Sequence, residues 1–95
     1  MVTVTCKSII TYENLDERFT EPFLSERAAL AQQMFAEGKT NSFPNDVSVN
    51  GVAVPGQRVW VDQAAAQEFI DFVLLNAPTY NINITSASIG SIIDQ

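Results

Sequence analysis

Few residues in this chain are equipped for chemistry, and their spacing argues against most of it. Histidine is absent, which removes Ser–His and Cys–His activation and the commonest metal ligand. The single cysteine, Cys6, has no base to activate it and reads as a small apolar residue on the inner face of a strand. Glu13, Asp16 and Glu17 form the densest acidic cluster. A calcium loop needs ligands at alternating positions and a glycine at the bend, and "YENLDERFT" supplies neither, so a solvated loop is expected. Glu68 and Asp71 fall at i and i+3 and read as the wet side of a helix. Gly51 and Gly56 make no phosphate loop, because no lysine follows and no helix starts there. Asn83-Ile84-Thr85 fits a glycosylation acceptor, but the match has no secretory leader beside it. No catalytic residue, metal ligand or cofactor is expected, and no enzyme is legible.

Two residue types suited to binding remain, Arg58 and Trp60, and their placement depends on the stretch "VSVNGVAVPGQRVWVD", residues 47–62. It carries two turn signals. If Asn50-Gly51 forms a two-residue primed turn, Val49 faces Val52 and Val47 faces Val54. A reversal at Pro55-Gly56 as well would give a three-stranded meander. The rival keeps 46–54 as one strand with a bulge at Gly51 and makes Pro55-Gly56 the hairpin. It is preferred because three-residue strands are very short. Both versions send Arg58 and Trp60 to the face opposite Val59 and Val61.

The elements that position these residues follow from periodicity. Residues 2–12 read as a strand, with Val2, Val4, Cys6, Ile10 and Tyr12 on one parity and Ser8 a gap in it. Asn14 can start one helical turn pinned by Leu15 and Phe19. A first helix follows, with Thr20 as cap, Pro22 in the first turn, and a stripe of Leu24, Ala28, Ala31 and Phe35 flanked by Leu30 and Met34; Gly38 ends it. Residues 40–46 are loop. Asp62 caps a second helix over Gln63 to Asn76 with Ala66, Phe69, Ile70 and Val73 on one face, and Pro78 stops it. "YNINITSAS" reads as the last strand, with "IGSIIDQ" as a tail that extends it or wraps as a short turn.

Ninety-five residues suffice for one domain, 1–95, and an apolar share of 46% argues against disorder. No apolar run approaches the ~18 residues of a membrane helix. The alternating start, Met1 to Lys7, has neither a basic nor a continuous apolar region, so no secretory signal is expected and a cytoplasmic location is predicted. The net charge is −6, and the five basic residues, Lys7, Arg18, Arg27, Lys39 and Arg58, look scattered. Neither nucleic acid nor anionic membrane is therefore an expected partner.

The order strand, helix, strand, strand, helix, strand predicts an α+β ferredoxin-like βαββαβ sandwich: a four-stranded antiparallel sheet with two helices on one face. The face left uncovered would carry Thr3, Thr5, Lys7, Ile9 and Thr11 with Arg58, Trp60, Asn81, Asn83 and Thr85. Trp and Arg are enriched at association hot spots.

RNA-recognition motifs share this element order, but "QRVWVDQ" lacks their glycine and aromatic signature. ACT-type regulatory domains share it too, yet "TYENLDERFT" has no glycine for their ligand turn. Dimeric α/β-barrel proteins pair sheet to sheet, although their haem-degrading members need an axial histidine. The stretch "RVWVDQAAAQEFIDFV" resembles small α+β proteins of marine phage and environmental (metagenomic) origin over residues 57–85, a likeness that implies a fold and no activity. The expected function is a structural or interaction module that homodimerises through the open sheet face, with Trp60, Arg58, Ile9 and Thr5 as contact candidates. The alternative is a small-molecule-binding or catalytic module of the dimeric α/β-barrel type, its ligand unknown, with a pocket between the open sheet and the tail.

Overall fold

The computed structural model describes residues 2–92. The elements run β1 (Cys6–Tyr12), a 3-10 helix (Leu15–Phe19), α1 (Phe23–Ala36), β2 (Asp46–Val49), β3 (Val52–Trp60), α2 (Gln63–Asn76), a second 3-10 helix (Ala77–Tyr80) and β4 (Ile84–Ser91). The four strands form one antiparallel sheet in the order β2-β3-β1-β4, the expected ferredoxin-like α+β arrangement. No described helix is long and apolar enough to cross a membrane.

The central strand β1 sets the inner face. Cys6, Ser8, Ile10 and Tyr12 are buried, while Lys7 and Ile9 are half-buried and Thr11 is exposed. Period-two alternation directs each set to its own side of the sheet. The strand begins at Cys6 rather than Val2, and β4 begins at Ile84 rather than Tyr80. The later start of β4 has a local cause. Pro78 lies in the first turn of a 3-10 helix that Asn81 ends in the left-handed region, φ 59°, before Ile82 tucks into the core. Residues 89–91 of "IGSIIDQ" then extend β4; residues 93–95 lie outside the described set.

α2 spans its predicted limits, with the Asp62 carboxylate accepting the Ala65 N–H. α1 is turned by about one residue from its predicted face. Its buried residues are Phe23, Arg27, Ala31 and Met34, whereas Phe35 is 43% exposed. The true stripe starts at Phe23, and an arginine in its second position disguises it.

The hairpin is Asn50-Gly51, not Pro55-Gly56 as preferred from sequence. Both turn residues have positive φ, 52° and 80°, and Val49 pairs with Val52. That is the geometry a two-residue primed turn demands. Gly56 lies within β3 with φ 78°, at a register shift where β3 carries extra residues against β2. A Cβ there would sit 2.2 Å from the Ile10 carbonyl oxygen, so only glycine allows the strand to run against β1.

Trp60 and Arg58 are corrected by the same register. They do lie opposite Val59, but on the helix-covered side, because Cys6 pairs with Trp60 and Ser8 with Arg58. Trp60 is fully buried, its ring 5.1 Å from that of Phe69, and its Nε1–H donates to Ser8 Oγ at 2.9 Å. Cross-strand partners share a face, so the buried parity of β1 fixes that of β3. An indole buries more apolar area than a valine, which favours this choice. Ile9 and Lys7 stay on the uncovered face, leaning over Gly90 of β4. Thr5 is tied down by its hydroxyl, which donates to the Val61 carbonyl at 2.7 Å.

Candidate functional site

On the helix side, where α1 and the first 3-10 helix meet the β2–β3 end of the sheet, the chain forms a cavity of about 260 Å³ that is open to solvent on one side. All three arginines of the sequence, Arg18, Arg27 and Arg58, line it, together with Tyr12, Asp46 and Phe69. In an acidic chain this convergence is unlike the scatter the sequence suggests.

Each arginine is placed by a different element. Arg18 stands in the last turn of the 3-10 helix that Asn14 caps by accepting the Asp16 N–H. Its Nη1 donates to the Leu15 carbonyl at 3.0 Å, and its guanidinium carbon lies 4.1 Å from the Phe19 ring centre. Arg27 sits in the buried stripe of α1, only 6% exposed, with its guanidinium 5.0 Å from the Phe23 ring centre. Its Nη2 donates to the Arg18 carbonyl, joining the two elements. Its Nε is fully enclosed and has no hydrogen-bond partner. Arg58 reaches the cavity from β3, 5.2 Å from the Phe69 ring centre, and donates from Nη1 to Asn45 Oδ1 at 2.8 Å. Asn45 is itself buried and anchored by its amide N–H to the Val59 carbonyl.

These contacts share one pattern. Each guanidinium is associated with an aromatic ring and gives one hydrogen bond to the protein, leaving most of its roughly five N–H donors for other partners. None of the acceptors is a carboxylate. Among the described residues the ion pairs within 4 Å belong to Lys39, with Glu37 at 3.1 Å and Glu68 at 2.8 Å. Burial pushes the Arg27 and Arg58 pKa values down, opposed for both by the nearby negative charge of Asp46. Burial pushes the Tyr12 phenol up, opposed by the positive charge of Arg27, Arg58 and Arg18. Desolvated positive charge only partly offset by one carboxylate, Asp46, is the physical state of this cavity.

The other chemistry-bearing residues are not brought together. Cys6 is buried, Glu68 bonds Lys39, and Asp71 accepts from Gln67. Glu17 accepts the Asn83 N–H. Among the described residues no cluster of His, Cys, Asp or Glu could hold a metal ion. A second depression of about 350 Å³ near Leu74 and Ile82 is lined by no charged side chain.

Sequence reasoning missed this site because the arginines are far apart in the chain. Two signals were present: Arg27 sits at i+4 from Phe23 and precedes Ala31 by the same step, and Arg58 shares strand parity with Trp60. The cavity also lies on the helix side, not between the open sheet and the tail. No family model matches the chain, and no curated protein or solved structure matches it either.

Proposed function

We propose that this protein is a small-molecule-binding module and that its ligand is an organic anion held in the arginine-lined cavity. The observation that carries this reading is three guanidinium groups converging on one cavity without a carboxylate hydrogen-bonded to any of them. Removing a charge from water is costly unless a counter-charge or hydrogen bonds compensate. An anion supplies both. The aromatic contacts restrict the arginines beforehand, which lowers the entropic cost of binding. Ile10, Leu24 and Phe69 add apolar wall, the mix of apolar lining and few polar groups that ligand sites show. An amide-resolved NMR titration with acetate, benzoate and inorganic phosphate at low ionic strength tests it. Saturable shifts should cluster at Arg18, Arg27, Arg58 and Phe69 and need at least about tenfold more anion in Arg18→Gln. Absence of a saturable shift with every anion at millimolar concentration sinks the reading.

A second reading keeps the homodimer through the open sheet face, without Trp60 and Arg58. It is favoured by apolar side chains on the face without helices: Ile9 and Val59 in the middle, with Val49 and Val52, 57% and 69% exposed, at the hairpin. Light scattering on the wild type and on Ile9→Lys decides it. A dimer that Ile9→Lys dissociates supports the contact, whereas a monomeric wild type removes it.

A further inference from the structure

We infer that the anion is a phosphate monoester of a small, largely apolar alcohol, a specification that rests on the anion-binding reading above. Charge is the first argument. Three guanidinium charges and one carboxylate, Asp46, line the cavity, leaving a local excess of two positive charges. A carboxylate ligand removes one of them. A phosphate monoester carries about −1.5 to −2 at neutral pH and removes both.

Geometry is the second argument. A carboxylate offers two oxygens in a plane and is satisfied by one forked guanidinium. Here the arginines arrive from a 3-10 helix, a helix and a strand, and no two of them share an element. Three separate approaches suit a tetrahedral group with three terminal oxygens. Arg27 gives one Nη2 hydrogen bond to the Arg18 carbonyl, which leaves its other Nη donors for a ligand.

The walls define the rest of the ligand. Ile10, Leu24 and Phe69 are apolar, so the ester's organic part gains from burial there. The cavity, about 260 Å³, lies just below the ~300–1,000 Å³ typical of ligand pockets, which limits the alcohol to a small one.

Isothermal titration at fixed ionic strength with phenyl phosphate, inorganic phosphate and benzoate tests the assignment. Phenyl phosphate is expected to bind at least about tenfold tighter than either of the others, since a charge-assisted hydrogen bond or a buried ring each supplies that much. Arg18→Gln, at a half-buried position, should weaken phenyl phosphate by at least about tenfold while circular dichroism stays native. Arg58→Gln should do the same, so the test does not depend on substituting the buried Arg27. Benzoate binding as tightly as phenyl phosphate overturns the phosphate assignment and leaves the anion reading standing. Inorganic phosphate binding as tightly overturns the ester. Failure of all three ligands removes both this inference and the function it rests on.

Discussion

Ser8 interrupts the apolar parity of strand 1, and its hydroxyl is the acceptor that lets an indole lie fully buried beneath the helices. Ser8→Ala leaves the Trp60 N–H without a partner in a dry site, and a loss of about 1–3 kcal/mol is expected in urea unfolding. The break in alternation at Ser8 was thus a sign in the sequence that Trp60 faces inward. It was illegible without the register that pairs Ser8 with Arg58 and Cys6 with Trp60. Cys6 itself was legible as a buried residue. The residue is 5% exposed, and its thiol pKa is raised by burial and then by the negative charge of Asp62. Iodoacetamide should label it in the native protein only as fast as the fold opens, and at the rate of a free thiol in urea. Tyr12 supplies a pH dependence. Burial holds its native pKa above the ordinary value, so the folded state keeps the proton where the unfolded chain loses it. Its contribution to stability is complete below about pH 10 and declines as pH rises from there through the native pKa. The urea midpoint should fall correspondingly as pH is raised above about 10.

Among the elements, α2 was readable residue by residue because its signals are local: a capping aspartate, a stripe at helical spacing and a stopping proline. The β2–β3 ribbon was not. Which glycine turns the chain and which one bulges depends on what lies across the sheet. The two glycines therefore respond differently to substitution. Gly51→Ala meets nothing within 4 Å and suffers only the left-handed backbone, about 1–2 kcal/mol. Gly56→Ala adds a collision with the Ile10 carbonyl and should cost more than about 3 kcal/mol or prevent folding. Urea unfolding of the two variants ranks them, and equal losses would contradict the bulge. α1 failed in a different way: its limits were close, but an arginine inside its buried stripe shifted the inferred face. A charged residue at a core position breaks the local rule that sequence reading relies on, and such breaks concentrate at functional sites.

At the scale of the whole molecule, element order alone was enough for the sheet and its two helices, because few topologies satisfy short, right-handed connections. Local spacing hinted at the placement of Arg27 and Arg58 one at a time, but not at their convergence with Arg18. A chain with net charge −6 gives no hint that its arginines meet, since that depends on tertiary approach rather than spacing. On the anion-binding reading proposed above, the arrangement favours binding over stability. Arg27→Met makes the stripe of α1 apolar and removes a desolvated charge that has no ion pair within 4 Å, so the unliganded variant should be at least as stable as the wild type and up to about 1 kcal/mol more so in urea. It should also lose its response to phenyl phosphate.

Arg18, Arg27 and Arg58 come from three elements and are gathered only when the chain is folded. A molecule recognised by the assembled set has no comparable site on the unfolded chain, so occupancy and folding are linked equilibria. At a hundredfold excess over its dissociation constant such a molecule would add about 2.7 kcal/mol to the folded state. Fluctuations in its cellular supply would then set how long the chain survives proteolysis.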